Sequence, residues 1–401
     1  MIRSVFRAVA LCVLASACAG AAVSDGSDGA TPAQAAIEAR VQSLATQAMA
    51  GTGARGLAIA VIEAGEVRHV AAFGDRNAAG DPLTTDTIMY GASLTKAAFA
   101  FMALQLVDEG RLDLDRPIAD LLPQPLPSYN SPADADAYGG WGDLEGDDRW
   151  RTITPRHVLT HSTGFANFSF LEPDGRLRMH FDPGARYAYS GEGVMLLQFG
   201  LERGLGLAVG EEMNRRLFEP LGMTRTSLMW RDDFAGNLAD GFALDGSVEP
   251  HDERSRVRAA GSMDTTIADA ARLAAAIVRG EGLSPEAQRV FSAPQLTIRS
   301  RGQFPTLIEP PAQAAHPDIA AGLGVIVFSG AQGPGFYKGG HNDTTGNVMV
   351  CVHEGERCVV ILANDVRAEA AFAWIVAELL GETGTPWLWE YGDMDFWSPE
   401  T

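Results

Sequence analysis

Two periodicities divide the chain. Residues 33–50 place apolar side chains three and four positions apart, which predicts an amphipathic helix. The period then falls to two: residues 56–63 and 66–73 alternate on either side of Ala64 and Gly65, a β-hairpin signal. A short strand at 87–90 runs into a helix from about 93 to 109, where Phe99, Met102, Ala103 and Leu106 repeat at helical spacing. Residues 116–152 hold Pro123, Pro125, Pro127 and an acidic cluster from Asp143 to Asp148, and predict a long irregular excursion. Helices follow near 155–161, 191–204, 209–218 and 265–279. After them come strands at 322–329, 335–341, 347–353 and 357–363, and a closing helix at 367–380. Strands at both ends with helices between them predict an α+β fold: one antiparallel sheet built from both termini, flanked by helices, with an inserted mostly helical lobe and a cleft where the two meet. The expected division is an α/β lobe of about 33–115 and 255–381 and a helical and loop lobe of about 116–254, within one domain spanning 33–385. The tail, 386–401, is aromatic and acidic from Trp387 to Trp397 and reads as either a packed strap or a loose end. No repeat of 20–50 residues is visible, which argues against a solenoid.

The first residues are not read as fold. Arg3 and Arg7, an apolar run from Ala8 to Leu14 and the small residues Ala15, Ser16 and Ala17 form an export signal over 1–17, followed by a flexible linker over 18–32. Cys18, directly after the small residues, is also a candidate for lipidation, although Ala15 stands where such signals usually carry leucine. The expected location is therefore exported, periplasmic or lipid-anchored in the envelope. No later apolar run has the length of a transmembrane helix. Cys351 and Cys358 flank a hairpin centred on Glu354 and Gly355, and are either a disulfide or two buried free thiols, depending on the loop length.

Composition adds two points. With 51 acidic and 31 basic side chains the 401-residue chain carries a formal charge of −20, which disfavours nucleic acid and electrostatic docking on anionic membranes. Among the basic residues only Lys96 and Lys338 are lysines, and the other 29 are arginines. Guanidinium stays charged and cannot act as a base, whereas a lysine amine can be deprotonated. The two lysines are thus the first candidates for chemistry.

Lys96 closes Ser93-Leu94-Thr95-Lys96 at a predicted helix start, where residues three apart share a face and free backbone N–H groups could receive an oxyanion. Lys338 lies in Lys338-Gly339-Gly340 at the end of a predicted strand, where the glycines allow close approach. Between them stands Tyr187-Ala188-Tyr189-Ser190-Gly191 after Pro183 and Gly184. With two supporting segments, 157–164 and 260–266, these motifs resemble the serine β-lactamase and penicillin-binding-protein superfamily, in its class C β-lactamase, esterase and D-stereospecific peptidase branch. The resemblance covers about residues 35–380 and rests on S-x-x-K, Y-x-N and K-T-G. It implies a β-lactamase/transpeptidase-like fold and an acyl-enzyme mechanism without a cofactor. Ser93 would be the nucleophile, Lys96 its proton-transfer partner and Tyr189 a general base whose phenol the two lysines would make more acidic. Lys338 would orient the substrate or the tyrosinate, and the backbone N–H groups of Ser93 and His341 would form the oxyanion hole. Ser190, Gly191, Gly339 and Gly340 would line the substrate pocket.

Two departures bear on substrate. Gly191 replaces the asparagine of the second motif, and Gly339 replaces a threonine whose hydroxyl helps hold the substrate carboxylate. Both point away from efficient β-lactam hydrolysis and toward a small-molecule or peptide acyl substrate with an ester or amide bond; D-Ala-D-Ala carboxypeptidase or weak β-lactamase activity is an alternative. A catalytically silent envelope-binding module is the alternative of another class. His157 and His161 are four apart but lack further ligands, so they read as structural rather than metal-binding. His353 and Glu354 lack the second histidine of a zincin, and the acidic cluster at 143–148 does not have the spacing of a calcium loop. Oligomeric state and substrate identity are not encoded in any of these features.

Overall fold

The hairpin expected around Ala64 and Gly65 forms, and it becomes one end of the sheet. In this computed structural model residues 31–304 and 316–399 are described; the expected export signal over 1–17 and Cys18 lie outside them. Helix α1 (Pro32–Thr52) is capped by the Thr31 hydroxyl and ends at Gly53, whose φ of 71° suits glycine. Strands β1 (Gly56–Glu63) and β2 (Glu66–Gly74) follow, and then helix α2 (Leu94–Asp108). The insertion is a succession of short 3₁₀ turns and helices, the best formed being α3 (Gly191–Phe199). Helix α4 (Ile267–Arg279) returns the chain to the sheet. It is followed by β3 (Leu296–Thr297), β4 (Ile319–Ala321), β5 (Ile326–Gly330), β6 (Gly333–His341), β7 (Gly346–Val352) and β8 (Arg357–Ala363). Helix α5 (Phe372–Leu380) and the short α6 (Trp387–Tyr391) end the chain.

The sheet has eight strands in the order β2-β1-β8-β7-β6-β5-β4-β3, each antiparallel to its neighbours. The pairing of β1 with β8 joins the two ends of the chain, as the sequence predicts. Its period of two sorts side chains into two layers. Leu57, Ile59 and Val61 pack with α1 and α5, while Ala58, Ala60 and Ile62 face α2, α4 and the inserted segments. Size sets the register: Ala58 and Ala60 meet the alanine face of α4 (Ala270, Ala271, Ala274), where a one-residue slip would press Leu57 and Ile59 into a gap built for methyl groups. The second core layer runs without interruption into the insertion through Trp141, Trp150, Phe165 and Phe199. Helix α2 lies in the middle of it and is buried on every side from Leu94 to Leu106 rather than being amphipathic.

Some elements differ from their expected bounds. Of the strand expected at 322–329 only the second half forms, as part of β5; residues 322–325 turn between β4 and β5, with Gly322 N–H donating to Val325 O, Leu323 N–H to Phe291 O and Gly324 N–H to Leu159 O. The helices near 191–204 and 209–218 each finish in a π-helical turn, and the closing helix begins as a 3₁₀ turn. Strands β7 and β8 end at Val352 and Arg357, leaving four residues in the loop, and Cys351 faces Cys358 directly; the two form a disulfide. The tail is a packed strap: the Trp389 indole donates to Ser300 O, and Trp397 packs edge-on against Trp374. Among the described residues no helix is long and apolar enough to cross a membrane.

Candidate active site

Ser93 stands at the start of α2, immediately after Ala92, which is held at φ 46° in a region that disfavours side-chain-bearing residues. The turn is clamped from both directions. Gly91 N–H donates to Met263 O, Met263 N–H donates to the Thr95 hydroxyl, and the Asn347 amide donates to Tyr90 O. One helical step on, the Lys96 ammonium nitrogen lies 3.0 Å from Ser93 Oγ and also bonds Ala260 O. The 260–266 segment thus fixes both the serine turn and its lysine.

Strand β6 closes the other side. A Cβ on Gly340 would stand 2.9 Å from the backbone nitrogens of Ser93 and Leu94, so only glycine lets the strand lie against the helix start. Lys338, on the same strand, is buried, and its Nζ lies 3.4 Å from the Tyr189 hydroxyl. The Ser93 hydroxyl acts on the Tyr189 phenol as well, lowering its proton affinity. Its ring lies between the two amines, 4.9 Å from Lys96 Nζ and 5.1 Å from Lys338 Nζ at the centroid. Ser93, Lys96, Tyr189 and Lys338 are therefore brought together from three separate segments.

Burial dominates the electrostatics. Lys96 loses proton affinity to desolvation and, secondarily, to the charge of Lys338, so its amine is held well below the ordinary lysine range. Lys338 is pushed down to about 8 by desolvation, partly opposed by Glu390. The phenol of Tyr189 moves upward, against the expectation that two lysines would lower it: desolvation outweighs the hydrogen bond from Ser93, and the lysines are themselves losing charge. The group best prepared to accept a proton is thus the Lys96 amine.

His161 backs this assembly. It stacks on Tyr189 with ring centroids 4.3 Å apart, and its Nδ1 accepts from Ser190 N–H, so the proton of the neutral ring resides on Nε2. Burial and the two lysines keep it neutral. His157 completes a capping box with Thr154. Both histidines serve structure, and the carboxylates of Asp143, Asp147 and Asp148 are paired with Arg176, Arg149 and Arg151.

The cavity in front of Ser93 has a volume of about 670 Å³ and is lined by Lys96, Tyr189, Lys338, Gly339, Gly340 and His341, as expected. Ser190 is not among the lining residues: its hydroxyl accepts from Gly193 N–H to cap α3 and donates to Ala166 O. Gly191 is covered, because the Phe168 ring lies 2.4 Å from where its Cβ would be. Among the lining side chains that the sequence reading lacked are Phe168, Phe170, Glu192, Gln303, Phe304 and Glu390. Glu192 is buried and pushed up to about 7 by desolvation. Glu390, from α6, accepts from the Tyr337 hydroxyl at 2.8 Å and from the Gln303 amide at 3.0 Å. Its Oε1 lies 2.3 Å from where a Cβ on Gly339 would be. Both departures from the motif pattern, Gly191 and Gly339, are thus occupied by a side chain from elsewhere in the chain, and those two glycines are the only sequence signal that could have pointed to Phe168 and Glu390.

Comparison with known proteins agrees with this geometry. Residues 41–382 match the family described as Beta-lactamase. Lovastatin esterase of Penicillium rubens is 29% identical over 186 residues, 40% of this chain and 44% of that protein. The chain therefore spans less than half of that relative's length. Penicillin-binding protein 4 of Amycolatopsis lactamdurans is 26% identical over 351 residues, 82% of this chain and 85% of that protein. The octameric penicillin-binding protein homologue from Pyrococcus abyssi superimposes with a TM-score of 0.67 at 22% identity, covering 86% of this chain and 78% of that one, which shows a shared fold.

Proposed function

The chain belongs to the beta-lactamase family, and from that premise we propose that it is a serine hydrolase working through an acyl-enzyme at Ser93 on a small ester or amide. The observation that carries this reading is the 3.0 Å contact between Ser93 Oγ and a fully buried lysine amine whose protonation burial and Lys338 both oppose. Ser93 Oγ attacks the carbonyl carbon while its proton passes to Lys96 Nζ, and the carbonyl π pair moves to oxygen. The oxyanion is received by the backbone N–H groups of Ser93 and His341, which the bare Gly340 lets approach; such a donor contributes about 3–4 kcal/mol to lowering the barrier. When the tetrahedral adduct collapses, the leaving oxygen or nitrogen takes a proton relayed from Lys96 through the Tyr189 hydroxyl. Water then attacks the ester at Ser93 by the same path reversed, giving the acid and free serine.

Phe168 over Gly191, with Phe170 stacked on it, makes the helical wall apolar, which favours an acyl chain over the amide side chain of a penicillin. That supports an esterase, like the Penicillium relative, over a D-Ala-D-Ala carboxypeptidase or β-lactamase. A silent binding module has no use for three buried polar side chains, Lys96, Tyr189 and Lys338, gathered around one serine hydroxyl. The mature chain works outside the cytoplasm in this reading, free or held by lipid at Cys18. The support is the 1–17 signal pattern and the Cys351–Cys358 disulfide, which persists in oxidising compartments.

A fluorophosphonate probe tests the centre: intact mass spectrometry shows one adduct on the wild type and none on Ser93→Ala, and p-nitrophenyl esters are hydrolysed faster than nitrocefin or D-Ala-D-Ala peptides. An unlabelled wild type that turns over none of these would refute the proposal.

A further inference from the structure

We propose that Glu390 is a built-in counter-charge standing where a substrate carboxylate would otherwise sit beside Lys338, so that the enzyme selects acyl substrates with a neutral or cationic leaving group and rejects those whose leaving group carries a carboxylate. This rests on the hydrolase reading above and specifies its substrate class.

The argument begins at Gly339. A side chain there would point at Glu390 Oε1, with its Cβ only 2.3 Å away, so with Glu390 held in this place only glycine fits at 339. In the motif pattern the residue at 339 supplies a hydroxyl that helps hold the carboxylate of the leaving group. Here that donor is absent and an acceptor has taken its space. The carboxylate is not a surface group that has swung in: it is 5% exposed, and each of its oxygens has a buried donor, Tyr337 on one and Gln303 on the other. It nevertheless lines the cavity together with Lys338, Gly339 and Ser93.

Its charge is felt by the cations of the same strand. Glu390 raises the proton affinity of Lys338 and of His341, and His341 is already paired with Glu369 at 3.1 Å. His341 is thus answered by Glu369, while Lys338, bonded to Tyr189 and Gly339 O, already feels the Glu390 charge, so an incoming carboxylate meets a wall on which the chain's own carboxylates act first. Of the other ionisable side chains lining the cavity, Asp136 and Arg258 carry opposite charges and Glu192 is pushed up to about 7 by burial, so they add no net cation to replace the one Glu390 acts on. Two like unit charges about 5 Å apart in a protein environment repel strongly enough to change kcat/KM by roughly a hundredfold, and a cation at the same place gains in the opposite sense.

The test uses the full-length enzyme and three butyrate esters with a common acyl group: those of choline, of the uncharged isostere 3,3-dimethylbutanol, and of glycolate. The wild type should hydrolyse the choline and dimethylbutyl esters with kcat/KM at least about thirtyfold above the glycolate ester. Glu390→Gln, isosteric and uncharged, should shrink the ratio of choline to glycolate ester at least about tenfold. A wild type that hydrolyses the glycolate ester as well as the others overturns the proposal even if the variant fails to fold. A folded Glu390→Gln enzyme with an undiminished ratio overturns it as well. Fluorophosphonate labelling of Ser93, run in parallel, separates the two ideas: labelling with no charge preference removes only the role of Glu390, whereas no labelling and no turnover removes the hydrolase reading and this inference with it.

Discussion

An amine can take the serine proton only if it is unprotonated when the substrate arrives, and this chain arranges that by burial and by the charge of a second lysine. Lys96 is surrounded by the serine turn, Ala260 and the Tyr189 ring, with a second lysine nearby and no carboxylate bonded to it. Arginine in its place would keep the charge and lose the base. Lys96→Arg is accordingly expected to lower kcat/KM by about 10²–10⁴-fold with an unchanged circular dichroism spectrum. An active Lys96→Arg enzyme would end the base assignment. Tyr189 is the contrasting case, its phenol held protonated by burial and suited to relaying a proton. Tyr189→Phe should slow turnover by about a hundredfold while the acid limb of the pH–rate profile stays in place, because the group titrating there is Lys96. Displacement of that limb in Tyr189→Phe would return the base role to the phenol. The scarcity of lysine made these positions legible in sequence, whereas the direction of the tyrosine shift was not, since it depends on how completely the ring is enclosed.

The serine turn belongs to no single element: α2 begins it, the 260–266 segment clamps it, and β6 lies against it through Gly340. Gly340→Ala puts a methyl carbon 2.9 Å from the backbone nitrogens of Ser93 and Leu94 and must push helix and strand apart. A displacement near 1 Å at the nucleophile is expected to lower kcat by about a hundredfold. The overpacking should also cost about 1–3 kcal/mol of stability, read as a lower urea midpoint, because Gly340 and Leu94 are buried. A variant of full activity would show that the strand does not set the position of the nucleophile. The three motifs could be read from the chain because each is local, a matter of a few residues at fixed spacing. Phe168 and Glu390 could not, because each reaches the site through packing: one in a loop 23 residues before the glycine it covers, the other 51 residues after its glycine, on a strap whose aromatic composition allowed either a packed or a loose reading.

At the scale of the molecule, the α+β architecture followed from two periodicities and their order along the chain. What escaped was the turn at 322–325 inside the strand expected at 322–329, held by contacts with Phe291 and Leu159 that lie far away in sequence. A cavity enclosed by a sheet and an insertion that share one core has a consequence for stability, because the groups it buries are titratable. Lys338 is pushed down to about 8 in the fold and has an ordinary value of 10.5 in the unfolded chain. Between those limits the unfolded state binds the extra proton, so Lys338 makes stability rise with pH from about 8 to about 10.5. Below pH 8 the full penalty is present, about 3 kcal/mol. The two hydrogen bonds from Lys338, to Tyr189 and to Gly339 O, return about 1 kcal/mol each. Lys338→Met should therefore be more stable than the wild type at pH 7 by roughly 1 kcal/mol and inactive, and its urea midpoint should rise less steeply than that of the wild type between pH 8 and 10. Equal slopes for the two proteins across that interval would mean that Lys338 keeps its ordinary proton affinity in the fold, and that the acidity of the site has another source.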